Sequence, residues 1–197
     1  AAAAQHTAAA DPAAAYASHN WHPVFVEGTK TWLIEVWEQL GGRFPAACFL
    51  PVGGGSLLLG AWRACQALPS PYPKLVAAQP LACAPIVEAL ERGDTDVPPV
   101  TPSSTLAEGA RIAAPPRGRQ VLGAVRGSGG WAEAIGEGLL VDTLHQLWRQ
   151  GLYVEPTAAL GAAAFRQALE RGQPMPEGEV VIVLTGSGLK TGDLTPE

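Results

Sequence analysis

Cysteine is scarce in this chain: three residues in 197, Cys48, Cys65 and Cys83, an odd count with no Cys-x-x-Cys spacing. That argues against a disulfide framework or a zinc–thiolate site and for buried thiols in a reducing compartment. The four histidines show no metal-ligand spacing either. Basic residues are outnumbered, 13 Lys and Arg against 18 Asp and Glu, for a net charge of −5. Such a chain has no electropositive footprint for nucleic acid. No apolar run reaches the roughly 18 residues of a membrane span, and the alanine-rich start carries no basic n-region. Neither a membrane partner nor a signal peptide is indicated, so a cytoplasmic location is the default. Methionine occurs once, at Met175, and the chain opens Ala1-Ala2-Ala3-Ala4-Gln5. The expectation is a sequence that begins mid-protein.

What is present is a globular composition, 47% apolar and 16% charged, enough for one or two domains with a sizeable core. The chain is organised around Pro51-Val52-Gly53-Gly54-Gly55-Ser56-Leu57. There an apolar run (Cys48, Phe49, Leu50) ends and a helical pattern (Leu58, Leu59, Trp62, Cys65, Leu68) begins. Consecutive glycines let the backbone take φ > 0 and approach a ligand closely, while the free N–H groups and positive dipole end of the following helix favour an anion. Ser56 can cap that helix or bind the same anion.

Residues 1–17 are alanine-rich and helix-prone, interrupted by Pro12. Residues 18–23 read as a loop and Val24-Phe25-Val26 as a short extended piece broken by Gly28. Thr29 or Thr31 then caps a helix with Trp32, Leu33, Val36, Trp37 and Leu40 on one face, stopped by Gly41-Gly42. The rhythm repeats as a strand at 47–52, a helix at 57–68, a strand at 75–79 and a helix at 84–91 opened near Pro85. Residues 93–104 form a proline-rich surface loop, and Ser103 to Gly109 a capped short helix. Then come a strand at 120–126, a glycine turn, a short strand at 131–135, and helices at 137–150 and 156–171. The β-branched run Val180-Val181-Ile182-Val183-Leu184 reads as a buried central strand. Alternating strands and helices predict an α/β fold, a mostly parallel sheet flanked by helices. The last strand empties into Thr185-Gly186-Ser187-Gly188-Leu189-Lys190, a second polar glycine turn. Ligands of open α/β sheets bind beyond the carboxyl ends of strands, so both turns are expected to face one crevice holding a small phosphorylated ligand.

Five stretches taken together, Glu27-Gly28-Thr29-Lys30-Thr31, Pro51 to Leu57, Thr105-Leu106-Ala107-Glu108-Gly109, Val154-Glu155-Pro156-Thr157-Ala158-Ala159 and Leu184 to Lys190, resemble the C-terminal part of threonine synthase. That enzyme is a fold-type-II pyridoxal-phosphate enzyme, like threonine and serine dehydratases, tryptophan synthase β and cysteine synthase. The resemblance implies pyridoxal 5′-phosphate as cofactor, its phosphate bound by Gly53, Gly54, Gly55, Ser56 and Leu57 and its ring nitrogen by the hydroxyl of Thr185. It also implies a small amino-acid substrate, a homodimer when full length, and a division into residues 1–22, remnant of a smaller subdomain, and residues 23–197, an incomplete cofactor domain.

Two departures qualify that picture. The family's lysine-bearing motif, which holds the cofactor covalently, has no counterpart here: Lys30 and Lys190 fall in motifs where the family lysine has another role, and Lys74 sits beside Pro73 in a loop. The fragment is therefore expected to be inactive alone. And where threonine synthases resemble Asn-Ser-x-Asn-Pro-x-Arg, this chain reads His19-Asn20-Trp21-His22-Pro23-Val24-Phe25. Phenylalanine cannot clamp a substrate phosphate as a guanidinium fork does. The readings are a threonine synthase-like carbon–oxygen lyase acting on O-phosphohomoserine, a threonine/serine dehydratase-like β-eliminating enzyme, or a non-catalytic binding protein of the same fold.

Overall fold

Cys48, Phe49 and Leu50 lie in the strand β1 (Ala47–Pro51), all of whose residues are buried because helices cover both faces of the sheet around it. The computed structural model describes residues 2–11, 13–14, 16–18, 22–69 and 71–191. Pro12, His19, Asn20, Trp21 and the side chain of Lys190 lie outside the described residues, and with them half of the loop expected at 18–23. The elements run α1 (Ala2–Ala10), α2 (Pro23–Thr29), α3 (Thr31–Gln39), β1, α4 (Ser56–Ala67), β2 (Lys74–Pro80), α5 (Pro85–Arg92), α6 (Gly118–Gly127), β3 (Ala132–Ile135), α7 (Glu137–Arg149), α8 (Pro156–Glu170) and β4 (Val180–Ile182).

The four strands lie in the order β3-β2-β1-β4, and every pairing is parallel. Cys48 stands opposite Leu75 and Val181, and Phe49 opposite Val76 and Ile182. Side chains alternate between the faces. Cys48, Leu50, Leu75 and Ala77 join Leu58, Ala61 and Cys65 of α4, Ile86 of α5 and Val121 and Val125 of α6 in one core. Ala47, Phe49, Val76 and Ala78 join Leu140 and Leu144 of α7 and Ala159, Leu160 and Ala163 of α8 in the other. Phe49 anchors this second core, edge-on to Trp131 at 5.7 Å and to Phe165 at 5.3 Å. Burying it contributes about 2–3 kcal/mol.

Several expected elements take another form. Val24-Phe25-Val26 is helical: Pro23 opens α2, His22 Nδ1 accepts from Val24 N at 3.4 Å, and Val26 alone of the three is buried while Val24 and Phe25 face outward. Start signals and a packing face outweigh the β propensity of three residues. Residues 120–126 form α6, because Val121, Leu122, Ala124 and Val125 recur at helical spacing and bury together, leaving Arg119, Gln120 and Arg126 exposed. Neither Thr29 nor Thr31 caps α3. The N-cap is Lys30, and the two hydroxyls donate to carbonyls, Thr31 to Gly28 O and Thr29 to both Val26 O and Ser56 O. Of the helix expected before Gly109, only a single turn forms, Glu108–Ala110. Lys74 is the first residue of β2 and not part of a loop. The β-branched run Val180 to Leu184 supplies only β4, half-buried at the sheet's edge, since among the described residues it pairs with β1 alone.

Candidate functional site

Every strand runs in one direction, so β1, β2, β3 and β4 release their chains at the same end of the sheet. At the end of β1, Val52 leads into Gly53, Gly54 and Gly55, and Gly55 takes φ +84° as the N-cap of α4. A Cβ at Gly55 would collide with Val121 Cγ2, and one at Gly53 would lie 2.7 Å from Gly109 O. Both positions require glycine, the first for its backbone conformation and for space, the second for the close approach of another main chain.

The N–H groups of Gly53, Gly54, Gly55, Ser56 and Leu57 have no protein acceptor among the described residues, although Gly54 and Gly55 are buried. Buried backbone donors nearly always find a partner. Consecutive free donors at a helix N-terminus are the donor set that an anion such as a phosphate group satisfies. Ser56 is the first residue of α4, and its hydroxyl has no protein partner among the described residues. The Glu27–Thr31 stretch sits directly behind this turn, with Trp32 next to it: Thr29 Oγ1 donates to Ser56 O at 3.0 Å and Trp32 Nε1 to Leu57 O at 3.3 Å. Lys30 Nζ, bonded to Glu27 at 2.9 Å, holds that carboxyl below its ordinary range, with Arg63 adding to the effect.

The second turn leaves β4, the neighbour of β1, and is pinned to the start of α8. Glu155 N donates to Gly186 O at 3.0 Å, Gly188 N to Tyr153 O at 2.9 Å, and Val154 bridges Ser187. Thr185 is exposed and its hydroxyl has no protein partner among the described residues; Ser187 is the residue that caps the turn, accepting from Leu189 N.

Beside these turns lies a cavity of about 770 Å³ lined by Thr105, Glu108, Gly109, Glu137, Glu155 and Thr157, with Ser104, Leu106, Pro156 and Thr191. Neither Gly53–Leu57 nor Thr185 is in that lining. Each turn instead backs one of its walls, Gly53 against Gly109 and Gly186 against the Glu155 side chain. The walls are tied together: Glu137 accepts from Thr105 Oγ1 at 2.9 Å and from Leu106 N at 2.6 Å, and Gly109 N donates to Thr157 Oγ1 at 3.1 Å. Among the described residues the lining presents three carboxylates and no lysine or arginine. Glu137 was not singled out in the sequence, and its signal there is weak: an acidic residue opening a helix just past a strand's carboxyl end. The cysteines lie elsewhere, free and buried. Burial pushes the Cys65 thiol up to about 12 and raises Cys48 and Cys83 too, so all three stay protonated and unreactive. Among the described residues no cluster could hold a metal ion, and no helix is long and apolar enough to cross a membrane.

Comparison with known proteins places this geometry. Residues 1–186 match the family described as Pyridoxal-phosphate dependent enzyme. The chain is 30% identical over 184 residues to the threonine synthase of Methanocaldococcus jannaschii, an alignment covering 90% of this chain and 45% of that one. It is 28% identical over 177 residues to the serine racemase of Bos taurus, covering 89% and 51%. Among solved structures, a threonine deaminase from T.th. superposes with a TM-score of 0.71 and 31% identity, covering 89% of this chain and 61% of that one. The chain spans about half the length of the curated relatives it matches.

Proposed function

The chain belongs to the pyridoxal-phosphate dependent enzymes, of the threonine synthase, dehydratase and serine racemase type, and we propose that its protein is a threonine synthase-like carbon–oxygen lyase. The observation that carries the reading is the run of free donors from Gly53 to Leu57 at the start of α4, joined to a chain-long likeness to threonine synthase. When bound, pyridoxal phosphate supplies an electron sink that lets a substrate Cα–H bond break.

The chain's own residues bind and orient it. The N–H groups of Gly53, Gly54, Gly55, Ser56 and Leu57, helped by the α4 dipole and the Ser56 hydroxyl, hold the 5′-phosphate. Thr185 offers its hydroxyl to the ring nitrogen. A neutral hydroxyl does not fix a proton there as a carboxylate would, which moderates the electron demand that the protein imposes. Glu108, Glu137 and Glu155 give the neighbouring cavity a field that attracts an amino group. Residues 23–197 act as the cofactor domain and residues 1–22 as part of a smaller one, in a homodimer of the full-length protein.

A second reading, a threonine/serine dehydratase-like enzyme, is favoured by two observations. Among the described residues the cavity lining holds no cation to pair with a substrate phosphate, and Phe25, at the position of the family's arginine, lies exposed on α2. A buried phosphate ester without a partner costs several kcal/mol. Steady-state assays of the full-length protein with O-phosphohomoserine, threonine and serine separate the two. Preference for O-phosphohomoserine is the expected outcome; preferential release of ammonia from threonine or serine selects the dehydratase. Cofactor binding with no turnover of any of them leaves the non-catalytic reading.

A further inference from the structure

Gln79 is a polar residue in the apolar strand β2, completely buried at 0% exposure, and its side chain joins two elements at the site end of the sheet. Its Nε2 donates to Val52 O at 3.1 Å. Its Oε1 accepts from Ile86 N at 2.8 Å and Val87 N at 3.4 Å. Those are first-turn donors of α5, whose N-cap residue, Ala84, has no polar side chain to offer them. Val52 is also held from its other side, its N–H donating to Ala78 O at 2.8 Å.

The carbonyl that Gln79 grips belongs to the peptide bond between Val52 and Gly53. That unit is planar and trans, so its C=O and N–H point in opposite directions. Fixing Val52 O toward Gln79 therefore fixes the Gly53 N–H pointing away from it. Gly53 has no side chain to restrain its own rotation, so the orientation of the first free donor of the glycine turn is set from outside. A buried amide left without these partners would be desolvated with nothing in return, which keeps the arrangement closed.

We infer that Gln79 is the positioning residue of the anion cup, orienting the Val52–Gly53 peptide so that the Gly53 N–H is presented to a phosphate while anchoring α5 to the same point. The inference rests on the reading that the glycine turn binds the cofactor phosphate. Gln79 does not touch the cofactor; it acts through Val52.

The test uses the full-length protein and two ligands differing only in the phosphate, pyridoxal phosphate and pyridoxal. Gln79→Met keeps the side chain's length and removes all three hydrogen bonds. Gln79→Glu keeps an acceptor for Ile86 and Val87 and loses the donor to Val52 only as the carboxylate, since a protonated buried carboxyl still donates there. Gln79→Met is expected to weaken pyridoxal phosphate about tenfold, the equivalent of one hydrogen bond, and to leave pyridoxal unchanged, and Gln79→Glu to do the same once the pH has risen far enough to ionise it. Equal weakening of both ligands by Gln79→Met, or a Gln79→Met protein that binds pyridoxal phosphate like the parent, overturns the inference. Amide hydrogen exchange of the unmutated protein gives an answer that needs no variant to fold. Pyridoxal phosphate is expected to slow exchange at Gly53–Leu57 and at Ile86 and Val87 together. Protection of Gly53–Leu57 alone overturns the role of Gln79 and leaves the phosphate reading standing, whereas no protection at Gly53–Leu57 overturns the phosphate reading and the inference with it.

Discussion

Replacing Gly55 by alanine perturbs the site at the point where its geometry is most constrained. The residue holds φ at +84° and closes the turn onto α4, and an added Cβ would drive into Val121 Cγ2. The left-handed conformation costs a non-glycine residue about 1–2 kcal/mol. Forcing a methyl group into a packed neighbour costs about 1–3 kcal/mol more, because Val121 is fully buried between α4 and the sheet. Gly55→Ala is therefore expected to lower stability by about 2–5 kcal/mol, read as a shift of the urea midpoint at unchanged slope. Adding Val121→Ala makes room for the methyl group and relieves the packing component only. The double-mutant cycle should return a favourable coupling of about 1–3 kcal/mol, with the conformational component remaining. A Gly55→Ala protein within about 0.5 kcal/mol of the parent, or a cycle with no coupling, would refute the reasoning, since the first removes the backbone requirement and the second the contact.

Glu133 is almost fully buried on β3 and accepts from Trp131 Nε1 at 3.0 Å, Gln167 Nε2 at 2.7 Å and Arg171 Nη1 at 3.1 Å. Glu133→Ala strands the indole donor and one of the two Gln167 amide hydrogens, the other remaining on Ala134 O, and is expected to cost about 2–3 kcal/mol by thermal or chemical denaturation; a neutral result would mean that solvent already shares those donors. Stability should also depend on the buried thiols at high pH. Unfolded cysteines release their protons above about pH 8.5, while Cys48 and Cys65 keep theirs, Cys65 up to about 12. Their contribution is thus complete below the unfolded value and is lost as pH rises toward the folded one, at up to about 1.4 kcal/mol per pH unit for each thiol. Cys65→Ala should remove its share of that slope between about pH 9 and 11, and an unchanged slope in the variant would show that Cys65 is not protonated by burial.

The sequence alone determined the alternation of strand and helix, the strand ends to within one residue of Pro51 and Pro80, and the helix starts at Pro85 and Pro156, because each is written in local signals: apolar runs, proline at a first helical turn, glycine after a last one. It also marked the glycine turn, since only glycine tolerates the φ of Gly55 and the approach of Gly109 to Gly53. Local signals failed where partners decide. Val24–Val26 and residues 120–126 have strand-like composition and became helices because one face of each found a packing surface on α4 or the sheet. Val180–Ile182 has the composition of a central strand and lies at an edge, since strand order depends on which chain segments pair and not on the strand's own residues. Gln79 reads in the sequence as the polar end of an apolar strand, and only the tertiary structure brings its amide to Val52, Ile86 and Val87, where a hydrogen bond across 27 residues of chain sets the plane of one peptide. Glu137 follows β3 directly, whereas Glu155 caps α8 and is held to the turn leaving β4 through Gly186 O; the two meet in one cavity because β3 and β4 run in the same direction and release their chains at one end of the sheet, which no stretch of residues carries by itself.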